Sequence, residues 1–437
     1  MARFFLSIAF LCALTSAALP VPPQGFVRTD GLNFTRHGKK YAYIGANLWS
    51  GMNLGAFDRP RLVRELDRLQ RIGVKNLRVL AATEGPDSEP WRIVPAMQTA
   101  PGVYNEKLLR GLDFLLWEMQ KRDMTAVIVL GNYWQWSGGF GQYLNWAGEG
   151  SIPYPKFDPL ARGGSDDSWI SYWSWLHYNF YVCKFYGNTK AIEWYEKFIR
   201  KVVTRRNTIS GQHYYKDPTI MAWQLANEPA GFFAQTKFDE WILRTAKLIK
   251  ARDPYHLVSV GSMGEVFSMA GVDQLKNHAH KEIDYATVHI WVQNAAVYNP
   301  DRPIETYPRA LRSLTDLLDK HRAYAKKLNK PLVFEEFGIS RDQNRFEPGS
   351  SVLIRNHFYY RAFSYVIDSQ KSDAPVAGVN FWAWGGEGAP KHVRWQPGDP
   401  LIGDPPHEAQ GWYSVYADDH TTTAIIARSA RRLAAAH

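Results

Sequence analysis

Short apolar, β-branched runs alternate with amphipathic runs along almost the whole chain. The apolar runs are Tyr41–Leu48, Asn76–Ala81, Thr125–Asn132, Ile220–Asn227, Leu257–Gly261, Tyr285–Trp291, Leu332–Phe337 and Val376–Ala383. Each is a few residues long and lacks a strict polar alternation, the pattern of a strand buried on both faces. Between them, apolar positions recur at helical spacing over Arg61–Ile72, Glu106–Arg122, Ile192–Arg205, Asp239–Ala251, Pro308–Lys327, Ile354–Ser369 and Thr421–Leu433. Strand and helix in turn predict an α/β fold, with parallel strands closed into a (β/α)8 TIM barrel. An open doubly wound sheet is the competitor, but no Gly-rich phosphate loop follows the first strand.

Two segments are too long to be simple connections: Tyr133–Gly187 after the third strand and Gly385–Tyr416 after the eighth. Long loops within a compact domain are usually functional, and both follow strand C-terminal ends, where barrel active sites are built. At the other extreme of the chain, residues 1–18 join Arg3 to an apolar stretch, Phe4 to Leu14, and end on the small residues Ser16 and Ala18. That is the pattern of a secretory signal peptide, so a secreted, extracellular protein is expected, with residues 19–437 forming one catalytic domain. No later apolar run is long enough to span a bilayer. Cys12 falls in the leader and leaves Cys183 alone, so no internal disulfide is expected and a buried, inert thiol is the simpler reading.

Charge and composition narrow the function classes. The formal charge is +10, but the basic residues are scattered and form no recognisable nucleic-acid module. No nucleic-acid partner and no membrane partner is expected, and a monomer is. Aromatics are abundant, with 17 Trp, 23 Tyr and 22 Phe, or 14% of 437 residues. Most belong in a core, yet a surplus of Trp in loops suits flat platforms for the C–H faces of sugar rings.

Two carboxylates stand out by position. Glu228 ends the fourth apolar run, in Trp223-Gln-Leu-Ala-Asn-Glu-Pro229, and Glu336 ends the seventh, in Phe334-Glu-Glu-Phe-Gly338. Strands four and seven lie across a barrel from one another, so both side chains could flank one glycosidic bond. A retaining glycosidase needs carboxyl groups about 5–5.5 Å apart. The doublet Glu335-Glu336 leaves two candidates, because neighbours in a regular strand face opposite ways and only one can enter the mouth.

The order Arg78, Asn227-Glu228-Pro229, His289, Glu336-Phe337-Gly338 and Trp382 resembles glycoside hydrolase family 5. Within that family Gly45–Gly51, Asn132–Gly139, His289–Asn294 and Asn380–Gly388 are similar to endo-β-1,4-mannanases, and the resemblance spans roughly residues 25 to 435. It implies Glu228 as acid/base and, of the doublet, Glu336 as nucleophile. Glu228 should then stay protonated near neutral pH, helped by an ionised Glu336, which Arg78 should keep charged. It further implies that Asn227 binds the sugar 2-hydroxyl, that His289 orders the nucleophile side and that Trp382 floors the cleavage point. Many members carry Tyr where this chain has Trp291, whose indole N–H can only donate.

Trp49, Trp134, Trp136, Trp146 and Trp384 are further sugar-contact candidates, and Glu387 could bind hydroxyls or face solvent. His278 and His280, or Asp418 and Asp419, match no metal-ligand spacing, so no metal and no cofactor is expected. The expected activity is a retaining endo-β-1,4-mannanase acting on mannan, glucomannan or galactomannan. The alternatives are a β-1,4-glucanase or exo-β-mannosidase of the same family and, more remotely, a non-catalytic carbohydrate-binding barrel.

Overall fold

The computed structural model describes residues 23–89, 92–154 and 169–436. The expected leader, residues 1–18, lies outside them. Eight parallel strands form the central sheet: β1 (Tyr43–Asn47), β2 (Asn76–Leu80), β3 (Thr125–Val129), β4 (Ile220–Gln224), β5 (Leu257–Ser259), β6 (Ala286–Ile290), β7 (Leu332–Phe337) and β8 (Val376–Phe381). Their order in the sheet is β5-β4-β3-β2-β1-β8-β7-β6, and a parallel bridge between Ser259 and Tyr285 brings the two edges together. Every residue of these strands is buried, which is why the sequence shows them as unbroken apolar runs.

Except for β7, which matches its run, the strands are shorter than their sequence runs, chiefly because the last residues of a run leave the ladder and turn into the mouth. Thus β4 stops at Gln224 and leaves Leu225–Glu228 beyond the sheet. Likewise Tyr41 ends a small antiparallel hairpin (Arg28–Asp30, Asn33–Arg36, Lys39–Tyr41) instead of opening β1. That hairpin caps the N-terminal end of the barrel, where Phe34 meets Tyr285 edge-on at 5.4 Å. The opposite, C-terminal end stays available for chemistry.

The helices match their expected places, with ends displaced by at most five residues. The largest displacement is Pro303–Leu328, which runs through Pro308, the residue that sequence reading took as its start. Residues 133–187 are not one loop: they hold the helices Gly139–Ala147 and Trp169–Val182. Helix Gly51–Phe57 lies so close to Glu106–Gln120 that a Cβ on Gly111 would stand 2.3 Å from the Met52 carbonyl oxygen. Only glycine permits that approach. No helix among the described residues is long and apolar enough to cross a membrane.

Candidate active site

Arg78, at the middle of β2, organises the barrel mouth. Its Nε donates to Gln224 Oε1 (2.8 Å), Nη1 to Asn47 Oδ1 (3.1 Å) and Nη2 to Asn227 Oδ1 (2.7 Å). Nη1 also donates to Glu336 in a short charge-assisted contact. One planar guanidinium therefore ties β1, β2, β4 and β7 together, a task suited to its fixed fork of donors.

Glu228 sits four residues past β4 with φ of 51°, a left-handed backbone held by its N–H bond to the Gly261 carbonyl at 2.9 Å. A non-glycine residue in that region marks a constrained site. The constraint aims its carboxyl group across the mouth. Trp134 Nε1 donates to Glu228 Oε2 at 2.6 Å, and His289 Nδ1 lies 2.7 Å from Glu228 Oε1. The same Nδ1 lies 3.3 Å from Glu336 Oε2. One carboxyl oxygen of Glu228, one of Glu336 and a ring nitrogen of His289 all fall within 4.8 Å of one another. Arg78 and His289 thus share the pocket of the two carboxylates. The trio is compact enough to hold a cation, but Arg78 and a protonated His289 already supply positive charge there.

The doublet behaves differently from the expectation of opposite facings. A β-bulge between Val288 and His289 pairs His289 with Glu336 while Val288 pairs with Phe334, so Glu335 is the extra residue. A bulged residue escapes the strict alternation of a strand. Glu335 therefore does not turn outward. It stays inside the barrel beneath Glu336, accepting from Gln224 Nε2 at 2.8 and 2.9 Å, with Arg78 Nε and His289 Nε2 each 3.5 Å away.

Protonation also departs from the expectation. Burial pushes the Glu228 carboxyl up, but the bond and charge of His289, the Trp134 N–H and Arg78 outweigh it, and the group is held below its ordinary value. Burial takes Glu336 up to about 7; His289 and Arg78 pull it down, while Glu228 and Glu335 push it up. For His289, burial disfavours the cation, yet the Glu336 charge and the contacts to Glu228 and Glu335 raise it to about 9. Arg78 and His289 thus face three carboxylates, and the two of the catalytic pair are pushed in opposite directions, Glu336 up by burial and Glu228 down by the His289 and Trp134 donors that point at it.

A family model described as GH family 5 beta-mannosidase-like matches residues 24–437. The chain belongs to glycoside hydrolase family 5. It is 29% identical over 399 residues to mannan endo-1,4-beta-mannosidase 5 of Solanum lycopersicum, covering 87% of this chain and 86% of that one. It is 26% identical over 384 residues to mannan endo-1,4-beta-mannosidase 1 of Arabidopsis thaliana, covering 82% and 81%. Among solved structures, a family 5 mannosidase from Rhizomucor miehei is 38% identical, with a TM-score of 0.83 over 94% of this chain and 98% of that one. An endo-beta-1,4-mannanase from Thermotoga petrophila, 23% identical with a TM-score of 0.67 over 91% and 77%, shares the fold. This family 5 chain is accordingly a glycoside hydrolase with relatives that act on mannan.

Several expected sugar contacts are already engaged within the protein. Trp382 is 4% exposed, stands edge-on to Trp291 at 6.0 Å, and its indole N–H has no partner among the described residues. Trp291 also leans on Tyr413 at 5.0 Å. Trp49 donates its Nε1 to the Gly403 carbonyl at 2.8 Å, and Trp136 stacks on His407 at 5.9 Å and 4°. Both are therefore covered by residues 385–416 and are not open platforms. Trp384 is buried and donates to Glu65 Oε2 at 3.0 Å, and Trp146 packs on Tyr143 at 5.5 Å. Glu387 binds no candidate sugar position: it is paired with Arg64 and, at 2.6 Å, with Arg68.

The residues that sequence reading missed are Asn47, Gln224, Asn132 and Glu408. Asn47 Nδ2 holds the Glu335 carbonyl at 2.9 Å, and Asn132 Oδ1 accepts from Asn227 Nδ2 at 3.2 Å. Polar residues inside apolar strand runs were the available signal for the first three. Glu408 had none, because its place depends on how its long loop folds back. Burial, then the charges of Asp404, Glu336 and Glu228, push its carboxyl well above the ordinary value, and its Oε2 is buried without a hydrogen-bond partner among the described residues. Asn47, Trp49, Arg78, Trp136, Asn227 and Trp382 line the narrow cavity at the mouth. A larger one, about 350 Å3, lies between helices Pro303–Leu328 and Leu353–Ser369 and contains no facing carboxylates, so size does not locate the chemistry here.

Proposed function

We propose that this family 5 hydrolase is a retaining β-mannosidase, working outside the cell, that removes mannosyl units from the ends of β-1,4-linked manno-oligosaccharides. The observation that carries the end-acting reading is the fold-back of residues 385–416 over Trp49 and Trp136. A groove for an internal stretch of polysaccharide needs those platforms open; covered, they form the wall of a pocket. Glu408, on the same segment, feels the charges of Glu336 and Glu228 and holds a buried carboxyl oxygen without a hydrogen-bond partner among the described residues, which suits it to hydroxyls of a terminal sugar. The carboxyl spacing supports retention, since an inverting pair stands about 6.5–9.5 Å apart. The leader-like residues 1–18 support export.

In this reading Glu336 attacks the anomeric carbon while Glu228 protonates the leaving oxygen, and Glu228 then draws a proton from water to release the sugar. Burial favours protonation of Glu336 over Glu228, and bound substrate reverses that preference. Positive charge developing at the anomeric carbon favours an ionised Glu336. His289 can give its Nδ1 proton to Glu228 and take the one from Glu336, leaving the acid loaded and the nucleophile free. Asn227, held by Arg78 and Asn132, would meet the 2-hydroxyl in this reading.

The relatives named as mannan endo-1,4-beta-mannosidases favour a second reading, internal cleavage. Product analysis separates them. Mannotetraose should yield mannose and mannotriose first, and galactomannan viscosity should barely fall. Rapid viscosity loss with mannobiose and mannotriose as early products would establish endo action instead. Activity on carboxymethyl cellulose exceeding that on mannan substrates would overturn the sugar assignment.

A further inference from the structure

The buried Glu335 serves neither the attack nor the protonation just described, yet it is the deepest carboxylate of the cluster. Its relative exposure is 0%, and its oxygens meet Gln224 from β4, Arg78 from β2 and His289 from β6. Asn47 from β1 holds its backbone carbonyl. A buried charge with partners on three strands is costly to keep unless it does something for those partners. The bulge in the β6–β7 ladder brings it there, since a regular strand would send it to the helix side.

We propose that Glu335 is a positioning residue: its carboxylate anchors the Nε2 edge of His289 and the Nε edge of Arg78, so that His289 keeps both ring protons and can pass one between Glu228 and Glu336. The inference rests on the retaining mechanism proposed for the site. With Nε2 held by a negative group, the Nδ1 side stays a donor poised 2.7 Å from Glu228 and 3.3 Å from Glu336. Without that group the neutral imidazole becomes competitive: Nε2 gives up its proton, and the Nδ1 proton that remains can no longer be passed to Glu228 without leaving an imidazolate. The other groups facing Glu335 are the phenols of Tyr43 on β1 and Tyr285 beside β6, both held protonated by burial and by Glu335 itself. Neither can replace its charge. Glu336 adjoins it, and Glu408 faces the catalytic pair from residues 385–416.

Glu335→Gln keeps the shape and deletes the charge. The histidine ring signal of His289, assigned through a His289→Asn variant and titrated by NMR, should remain that of the cation to beyond pH 8 in the wild type. In Glu335→Gln its midpoint should fall by at least one pH unit, and the alkaline limb of kcat/KM on an aryl β-mannoside should move down with it. Glu335→Asp, which restores the charge at a shorter reach, should recover part of both and leave the midpoint measurably below that of the wild type. An unchanged His289 midpoint in a folded Glu335→Gln protein overturns the proposal, whatever its activity. Should Glu335→Gln not fold, Glu335→Asp carries the test: its withdrawn carboxylate should lower the midpoint part-way, and a wild-type midpoint overturns the idea. A wild-type enzyme inactive on every β-mannoside would instead sink the functional reading, and the NMR titration would still report on Glu335.

Discussion

Arg78→Lys is the most informative single change at this site, because it keeps the charge and removes the geometry. The guanidinium is 3% exposed and serves Gln224, Asn47, Asn227, Glu336 and Glu335 at once. A lysine ammonium has three donors on one atom and cannot span that fork. If it follows the strongest charge, Glu336, the amide oxygens of Gln224, Asn47 and Asn227 compete for what remains, and two of the three lose their donor. A buried acceptor left without a partner costs about 1–3 kcal/mol, so two place the stability loss at roughly 2–6 kcal/mol. Water admitted from the mouth brings it towards the lower end. The rate should suffer more, since Asn227 and Glu336 both lose their orientation. Removing one preorganised donor from a transition-state site typically costs about 10²–10³ in turnover. Urea unfolding and kcat/KM on an aryl β-mannoside read the two effects separately. A Lys variant within tenfold of wild-type kcat/KM and within about 0.5 kcal/mol in stability, the range of an ordinary surface change, would show that charge alone matters and refute the fork argument.

Two other expectations follow from the carboxylates. Glu336→Ala should lose several orders of magnitude in turnover and be partly rescued by azide, giving a glycosyl azide of inverted configuration; rescue in Glu335→Ala with an active Glu336→Ala would swap the two roles. Burial pushes the Glu84 carboxyl up to about 7, against the Gly139 N–H and the charge of Arg92, so the folded state binds this proton more tightly than the unfolded chain does. Its contribution is present in full below about pH 4.5 and is lost as pH rises towards 7, by up to about 3 kcal/mol. The melting temperature of Glu84→Gln should therefore fall less between pH 4.5 and 7 than that of the wild type, and parallel curves would remove Glu84 from the account.

Much of this protein is written locally. Eight doubly buried strands must be apolar throughout, and seven helices packing outside them must be amphipathic, so the (β/α)8 alternation stands in the residue order itself. Glu228 and the Glu335-Glu336 doublet were legible as carboxylates at the ends of apolar strands, where a charge is costly unless paired or used, and the family resemblance singled out Glu336. What could not be read was decided by contacts between distant segments. A strand's alternation predicts opposite facings for Glu335 and Glu336, but the bulge arises from the register between β6 and β7, which neither strand contains alone. The Trp residues at strand ends look alike in sequence; only the return of residues 385–416 covers Trp49 and Trp136, and only the pairing with Arg64 and Arg68 withdraws Glu387 from the mouth. Which carboxyl is pushed up and which is held down was beyond sequence for the same reason. It depends on where His289 and Trp134 point, and electrostatic energies between buried groups change with ångström differences that no residue order encodes.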